Sequence, residues 1–454
     1  MEFHSIKDPI KILGAHLSYN VDKNDDANFF SKIRKMKTKL NLWQTRDLTL
    51  FGKSGSVLAK TLGASQLIYP ASLMTVPDAV TRAAQSLLFS SLWKNKKDKI
   101  KRNVVCQPPE NGGLNFINFE IMVKSLRLAW IASLISNSDD NWKAIPNFYF
   151  DKYGGLPVLL KCNYNTAILD NNLPLFYPEL LDYFQELTKF SEYDKNNDLI
   201  LWNNRRITIE RNSVFWKQWF DRGVTFISDL MNSNGKFLTF EEFQNRFEIK
   251  ANYLHYFQLI AAIPPDLKRK AFGSTVPDLL GATSEYCQLE DRTIVLTKFR
   301  CKNYYRLFIE KIVSEPSAVR AWKKSFSEIP NWSDCFVNIH KSSKDNKLRQ
   351  FTFKVVHRII MTKKELLKYK LASDDKCPFC LNPDSIEHTF LYCQESKEFF
   401  SKTLRWFNEY HKENVQLSNK QILFNTFDDS LPMQMPNSTQ SKLCLLVLLQ
   451  KKYL

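Results

Sequence analysis

Apolar residues recur at three- and four-residue intervals over much of this chain, the spacing of a single helix face. From Ala27 to Trp43 the stripe is Phe30, Ile33, Met36, Leu40 and Trp43, with Lys32, Lys35 and Lys39 along one flank. A polar loop follows. A second helix is expected around Ser54 to Ile68, ending at Tyr69-Pro70, and a third from Pro77 to Trp93 with Val80, Ala84, Leu87, Leu88 and Leu92 inside. The run Lys94 to Arg102 leaves that helix, Gly112-Gly113-Leu114 predicts a turn, and Phe119 to Leu134 predicts another helix. Residues 136 to 345 are aromatic-rich, with weaker periodicity and many Asn and Asp. Lys347 to Ile359 again reads as a helix, and an apolar helix is expected from Leu443. No internal repeat is visible. The pattern predicts a mainly α, multi-domain protein.

With 454 residues and 44% hydrophobic content, two to four domains and a large core are expected. The formal net charge of +17 favours a polyanionic partner, nucleic acid ahead of an anionic membrane surface. That charge is concentrated. Between Phe30 and Val105 there are fifteen Lys or Arg against three acids, Asp47, Asp78 and Asp98. The longest apolar run, Leu443 to Leu449, is far short of the roughly 18 residues a membrane span needs. Met1 to Ile10 is polar and charged, unlike a secretory signal. Nine cysteines, an odd number, then point to free or metal-bound thiols in a reducing compartment, nuclear or cytoplasmic.

The strongest chemical signal is Cys377-Pro378-Phe379-Cys380, followed by His388 and Cys393. A Cys-x-x-Cys turn can place two thiolates on one ion, and a His and a Cys five positions apart can close a tetrahedron from a short helix. Three Cys and one His leave no open position, so the expected ion is a structural zinc. Lys376, Pro378 and Asn382-Pro383-Asp384 are turn formers around the first pair, and Phe390, Phe399 and Phe400 are available beneath the site.

Several pieces together resemble one family. Trp43-Gln44-Thr45-Arg46-Asp47-Leu48-Thr49-Leu50-Phe51-Gly52-Lys53 is similar to the segment just after the polymerase palm in reverse transcriptases of LINE-type (non-LTR) retrotransposons. Phe89, Trp93 and the basic run follow in the family's order, then Gln107-Pro108, Gly112-Gly113-Leu114-Asn115, Asn118, Lys124 and Leu128-Ala129-Trp130-Ile131. Trp216, Gly223-Val224, Asp229-Leu230, Gly235-Lys236-Phe237, Phe240 and Phe257-Gln258-Leu259 resemble the connector. Leu348, Phe353-Lys354, His357-Arg358-Ile359, Leu366 and Cys377 to Cys393 resemble the C-terminal zinc-binding segment.

The resemblance implies a thumb-like helical domain over 1–135, with the end of a palm at 1–20. It further implies a helical connector over 136–345, a CCHC zinc-binding segment over 346–415 and a C-terminal tail over 416–454. One departure bears on activity. The family's polymerase holds two metal ions on an aromatic-x-Asp-Asp turn and a third carboxylate. Here Asp428-Asp429 follows Thr426-Phe427, so the aromatic stands one place too late, and Ile12-Leu13-Gly14 resembles only the palm's end. The expectation is therefore a non-catalytic fragment that grips template RNA and primed target DNA, with no membrane or small-molecule partner. Lys32, Lys35, Lys39, Arg46, Lys53, Lys94, Lys96, Lys97, Lys99, Lys101 and Arg102 are the expected phosphate contacts. The alternatives are a zinc-stabilised protein-interaction scaffold, its charge serving solubility, or an inert transposon remnant. Lys94 to Arg102 also has the composition of a nuclear-localisation signal.

Other features carry less. Trp43, Trp93 and Trp130 could stack on bases, but their helical spacing favours core positions. Leu230 to Glu241 has Asn232, Asn234, Gly235 and Glu241 at calcium-loop positions, but Leu230 stands where an acid is required. Lys363, Lys364, Lys368, Lys370 and Lys376 flank the zinc motif and suit either nucleic acid or solubility. The remaining histidines and cysteines show no paired spacing.

Overall fold

The computed structural model describes residues 9–46, 48–51, 56–169, 173–188, 198–272, 286–289, 292–326, 330–341, 343–424, 443, 446, 447 and 449. The chain is mainly helical, as the periodicity predicts. Among the described residues, strands form three short two-stranded antiparallel ribbons. Lys53, Asp428-Asp429 and most of the apolar stretch after Leu443 lie outside the described residues.

The chain divides into two compact units: residues 1–69, 77–120 and 309–454 in one, and 70–76 with 121–308 in the other. The first contains the predicted amphipathic helix, Ser31–Gln44, entered through a π-wound turn, Asp26–Phe30. Its apolar stripe is turned inward at Met36 and Leu40, both buried. A buried Asn28 pins the preceding ribbon, accepting from His16 N at 2.9 Å and donating to His16 O at 2.6 Å. Helix Asp78–Leu92 starts at Pro77, which fixes the entry backbone, and buries Val80, Ala84, Leu88, Phe89 and Leu92.

The second predicted helix does not stop at Tyr69-Pro70. It winds as a π-type stretch over Ser56–Ala64 and continues as Ser65–Leu73, through Pro70. Pro70 is buried, and Met74 N closes the turn on Pro70 O at 2.9 Å, so packing outweighs the one hydrogen bond that proline cannot donate. The helix expected over Phe119 to Leu134 is broken at Ala129 into Phe119–Leu128 and Trp130–Leu134.

Later in the same unit, Gln107 and the Gly112-Gly113 turn form a tight joint. The Gln107 side chain donates to Asn111 O and to Ser314 O, and accepts from Ser314 N at 3.1 Å. Gly112 has φ +82°, and a Cβ on Gly113 would lie 1.7 Å from Gln107 O. Phe336 and His357 stack nearby at 5.4 Å, and Trp322 donates to Val356 O at 2.8 Å. These contacts set helices Ser317–Ser325, Trp332–Lys341 and Asn346–Val356 against the glycine turn. Beyond the long helix Gln394–His411, Leu443 and Val447 pack with Phe400, Phe407 and Val415.

The second unit has its own core, centred on Trp202, Trp219, Phe243 and Tyr256. The rings of Trp216 and Trp219 lie 4.6 Å apart, and those of Phe243 and Tyr256 4.8 Å apart. Trp202 donates to Val224 O and the Tyr256 hydroxyl to Leu238 O, so the buried polar edges are satisfied. Helix Phe240–Phe247 opens on a capping box in which Thr239 and Glu242 bond each other's backbone N–H. In the loop before it, Asn232 Oδ1 accepts from Asn234 N and Lys236 N, both at 3.0 Å. That loop is an Asx-stabilised turn.

Candidate metal centre and basic cleft

Cys377 and Cys380 stand on a hydrogen-bonded knuckle. Cys377 N donates to Asn382 O at 2.7 Å, Leu381 N to Cys377 O at 3.1 Å, and Asp384 N to Asp375 O at 2.7 Å. Leu381 takes a left-handed φ of +62°, which reverses the chain after the second cysteine. The other two residues come from the opposite side. His388 begins a π-wound turn, His388–Tyr392, and Cys393 is the cap from which helix Gln394–His411 starts. Cys393 N donates to His388 O at 2.8 Å, fixing their separation.

The four ligand atoms all lie within 4.8 Å of one another. Cys377 Sγ is 3.9 Å from Cys393 Sγ, Cys393 Sγ is 4.0 Å from Cys380 Sγ, and Cys380 Sγ is 3.1 Å from His388 Nε2. A tetrahedral zinc with bonds of about 2.3 Å to sulfur needs its thiolates about 3.8 Å apart, so the arrangement fits the ion. Among the described residues, these form the one such His, Cys, Asp and Glu cluster.

The surroundings favour a thiolate at Cys380. The backbone N–H of Asn382 and its amide, at 3.5 Å, both point to Cys380, and the Asn382 N–H leads in holding that thiol below its ordinary range. Burial pushes Cys377 up, with the N–H groups of Phe379 and Cys380 pulling the other way. Asp384 ties the halves together, accepting from Lys363 N at 2.8 Å and from Thr389 Oγ1 at 2.7 Å. Glu387, next to His388, accepts both terminal nitrogens of Arg358, whose guanidinium lies 4.1 Å over the Trp322 ring. Two of the neighbouring lysines are engaged, Lys363 with Asp374 at 3.7 Å and Lys368 with Glu365 at 2.6 Å.

The basic residues are spread over two features of the first unit. On helix Ser31–Gln44, Lys35 and Lys39 are exposed and Lys32 is half-buried. Burial, with Lys11 and Lys35 beside it, lowers the Lys32 ammonium below its ordinary range. Arg46 covers the Trp43 ring at 4.5 Å, and Trp93 is buried, so neither indole presents a free face there. Lys94, Lys96, Lys97, Lys99 and Lys101 are all exposed, whereas Arg102 bonds Asp98 at 2.7 Å and lies over Phe89.

Part of that run lines a cleft of about 480 Å³. Lys94, Lys96 and Lys99 are joined there by Lys347 and Lys354, with Leu50, Leu92, Trp93 and Phe351 among the apolar lining and no carboxylate among the described lining residues. The sequence reading did not place Lys347 and Lys354 among the phosphate contacts. Their signal was present: Lys347, Gln350, Phe351 and Lys354 stand at i, i+3, i+4 and i+7 of one helix, hence on one face.

Among the described residues, the scattered histidines and cysteines do not gather into a second metal cluster. Burial pushes the Cys106 and Cys162 thiols up to about 12, and Cys335 is buried as well. His255 stacks on Trp216 and His340 meets the Phe51 ring edge. No helix among the described residues is long and apolar enough to cross a membrane.

Residues 299–400 match the model of a family described as zinc-binding in reverse transcriptase. The metal cluster and helix Asn346–Val356 both fall inside the match. The chain therefore carries a reverse-transcriptase-related zinc-binding region. No curated protein matches the chain.

Proposed function

We propose that the chain is a nucleic-acid-binding portion of a LINE-type reverse transcriptase: thumb, connector and zinc segment. It grips template RNA and primed target DNA while a polymerase palm carries out target-primed synthesis, and it is not an enzyme by itself. One structural zinc sits on Cys377, Cys380, His388 and Cys393 and braces the segment.

The observation that carries this reading is the exposed, acid-poor row from Lys94 to Lys101 within the same compact unit as the zinc cluster and residues 309–400 of the zinc-binding match. Lysines that neutralise phosphates release counterions, which gives affinity without sequence choice. Lys35, Lys39 and Arg46 supply further contacts, with Lys32, Lys53 and Arg102 as the remaining positions of the grip. The test is affinity of the purified chain for an RNA–DNA hybrid and for single-stranded RNA across a salt series. Steep loss with salt, flattened by neutralising Lys94, Lys96, Lys97 and Lys99, supports the grip; absence of binding at low salt overturns it.

A second reading, a protein-interaction scaffold, draws on exposed apolar side chains of the zinc segment, Phe379, Leu381, Tyr369 and Leu371. A partner held by those contacts stays bound as salt rises.

A further inference from the structure

The cleft between the basic run and helix Asn346–Val356 has a construction that phosphate steering alone does not require. Its walls are cationic, Lys94, Lys96 and Lys99 on the loop and Lys347 and Lys354 on the helix, while its lining includes Leu48, Leu50, Leu92, Trp93 and Phe351. A duplex presents only its phosphate ridges to such an opening and leaves the half-buried Leu48 and Phe351 uncovered. A single strand presents phosphates and an unstacked base together.

The loop wall is set in place. Lys94 and Asn95 both have left-handed φ, +53° and +59°. Asn95 holds this turn by donating through Nδ2 to Gln44 Oε1 at 3.0 Å and through its backbone N to Ser90 O at 2.7 Å. On the other wall, Gln350 Oε1 accepts from Leu50 N at 2.6 Å, which ties the helix to the Leu48–Leu50 side of the cleft. Lys347 and Lys354 are two helical turns apart, about 10 Å along the axis, a span suited to a stretch of strand and too long for one small anion.

We propose that this cleft seats a single-stranded nucleic-acid segment, one base against Leu48 and Phe351 and the flanking phosphates on Lys347, Lys354 and the loop lysines. The proposal rests on the nucleic-acid reading above and gives it a strand preference. Lys347 and Lys354 become binding residues of the zinc-segment helix.

The test uses the full chain with an oligouridylate, the matching oligothymidylate and an RNA–DNA hybrid. Binding is read by fluorescence anisotropy for wild type, Lys347→Gln/Lys354→Gln, Lys347→Arg/Lys354→Arg and, as a charge-matched control, Lys397→Gln/Lys402→Gln. The glutamine pair is expected to lose about ten-fold or more in single-strand affinity and to flatten the salt slope by about 1.4, from roughly 0.7 per phosphate contact. The arginine pair keeps near wild-type affinity, the control pair loses less than about two-fold, and the hybrid is the less affected ligand. Equal losses for single strand and hybrid, or equal losses for the cleft and control pairs, overturn the cleft assignment while leaving the general grip intact. Failure of the wild type to bind any ligand overturns both readings.

Discussion

Arg358 holds Glu387 through both terminal nitrogens, at 2.5 and 3.3 Å, and the carboxylate it holds immediately precedes His388 of the metal cluster. Ser325 Oγ donates to the same carboxylate at 3.0 Å, and the guanidinium rests on Trp322. The metal loop is thereby anchored to helices Ser317–Ser325 and Asn346–Val356. Burial alone would raise the Glu387 carboxyl; the Arg358 hydrogen bonds and charge reverse this and hold it below the ordinary carboxylate range.

Arg358→Ala is expected to destabilise the first unit by about 2–4 kcal/mol, because it leaves a half-buried carboxylate without its counter-charge. Arg358→Lys restores less than half of that, since an ammonium neither forks across two oxygens nor stacks on an indole. Urea denaturation of the three proteins at pH 7 measures it. The contribution is present above the unfolded glutamate value near 4.3 and is lost as pH falls through the lower folded value.

Cys377→Ser is expected to abolish the one zinc per chain and to unfold the surrounding segment, because binding energy at a structural site is folding energy. Cys106→Ala and Cys335→Ala retain the metal, since both thiols lie outside the cluster. Metal analysis by mass spectrometry, with proteolysis of the zinc segment, separates the two outcomes.

His357 makes the first unit sensitive to mild acid. It is buried between Phe336 and Phe353, and burial pushes its imidazole down to about 4, against a smaller opposing pull from a hydrogen bond with the Gly112 backbone. The folded state keeps it neutral where the unfolded chain, with an ordinary value near 6.5, takes up a proton. Its stability contribution is therefore full above pH 6.5 and is lost as pH falls from 6.5 to 4, by about 3 kcal/mol at most. His357→Gln, which keeps an amide for the Gly112 backbone but does not titrate, should flatten that part of the stability–pH curve.

Gly113→Ala is expected to prevent folding of the first unit or cost it more than about 3 kcal/mol, since the new Cβ would overlap the Gln107 backbone carbonyl. Gly223→Ala meets nothing within 4 Å and suffers only its φ of +87°, so about 1 kcal/mol is expected. Thermal melts of the pair show whether close approach or backbone conformation dominates.

The helices with strong apolar stripes, Ser31–Gln44 and Asp78–Leu92, were legible because period and burial coincide at Met36, Leu40, Val80, Ala84 and Leu88. The cluster Cys377, Cys380, His388 and Cys393 was legible because both ligand pairs are local in sequence. Continuation through Pro70 was not, because burial there overrides a local rule. The five-lysine cleft was not legible either: Lys99 and Lys347 are brought together only by tertiary packing, which a linear pattern does not encode. The glycine turn was visible as Gly112-Gly113, yet the bond from the neighbouring Gln107 to Ser314 spans 207 positions and has no local signal.

The interleaving of the two units also bears on synthesis. Gln107 emerges from the ribosome 207 residues before Ser314, and Leu50 emerges 300 residues before Gln350. At ordinary elongation rates the early helices wait roughly 10–60 s for these partners. Residues 121–308 can complete their own core in that interval. The Leu50 backbone and the Gln107 side chain meanwhile wait without these partners, and translation speed through residues 309–356 becomes a determinant of yield.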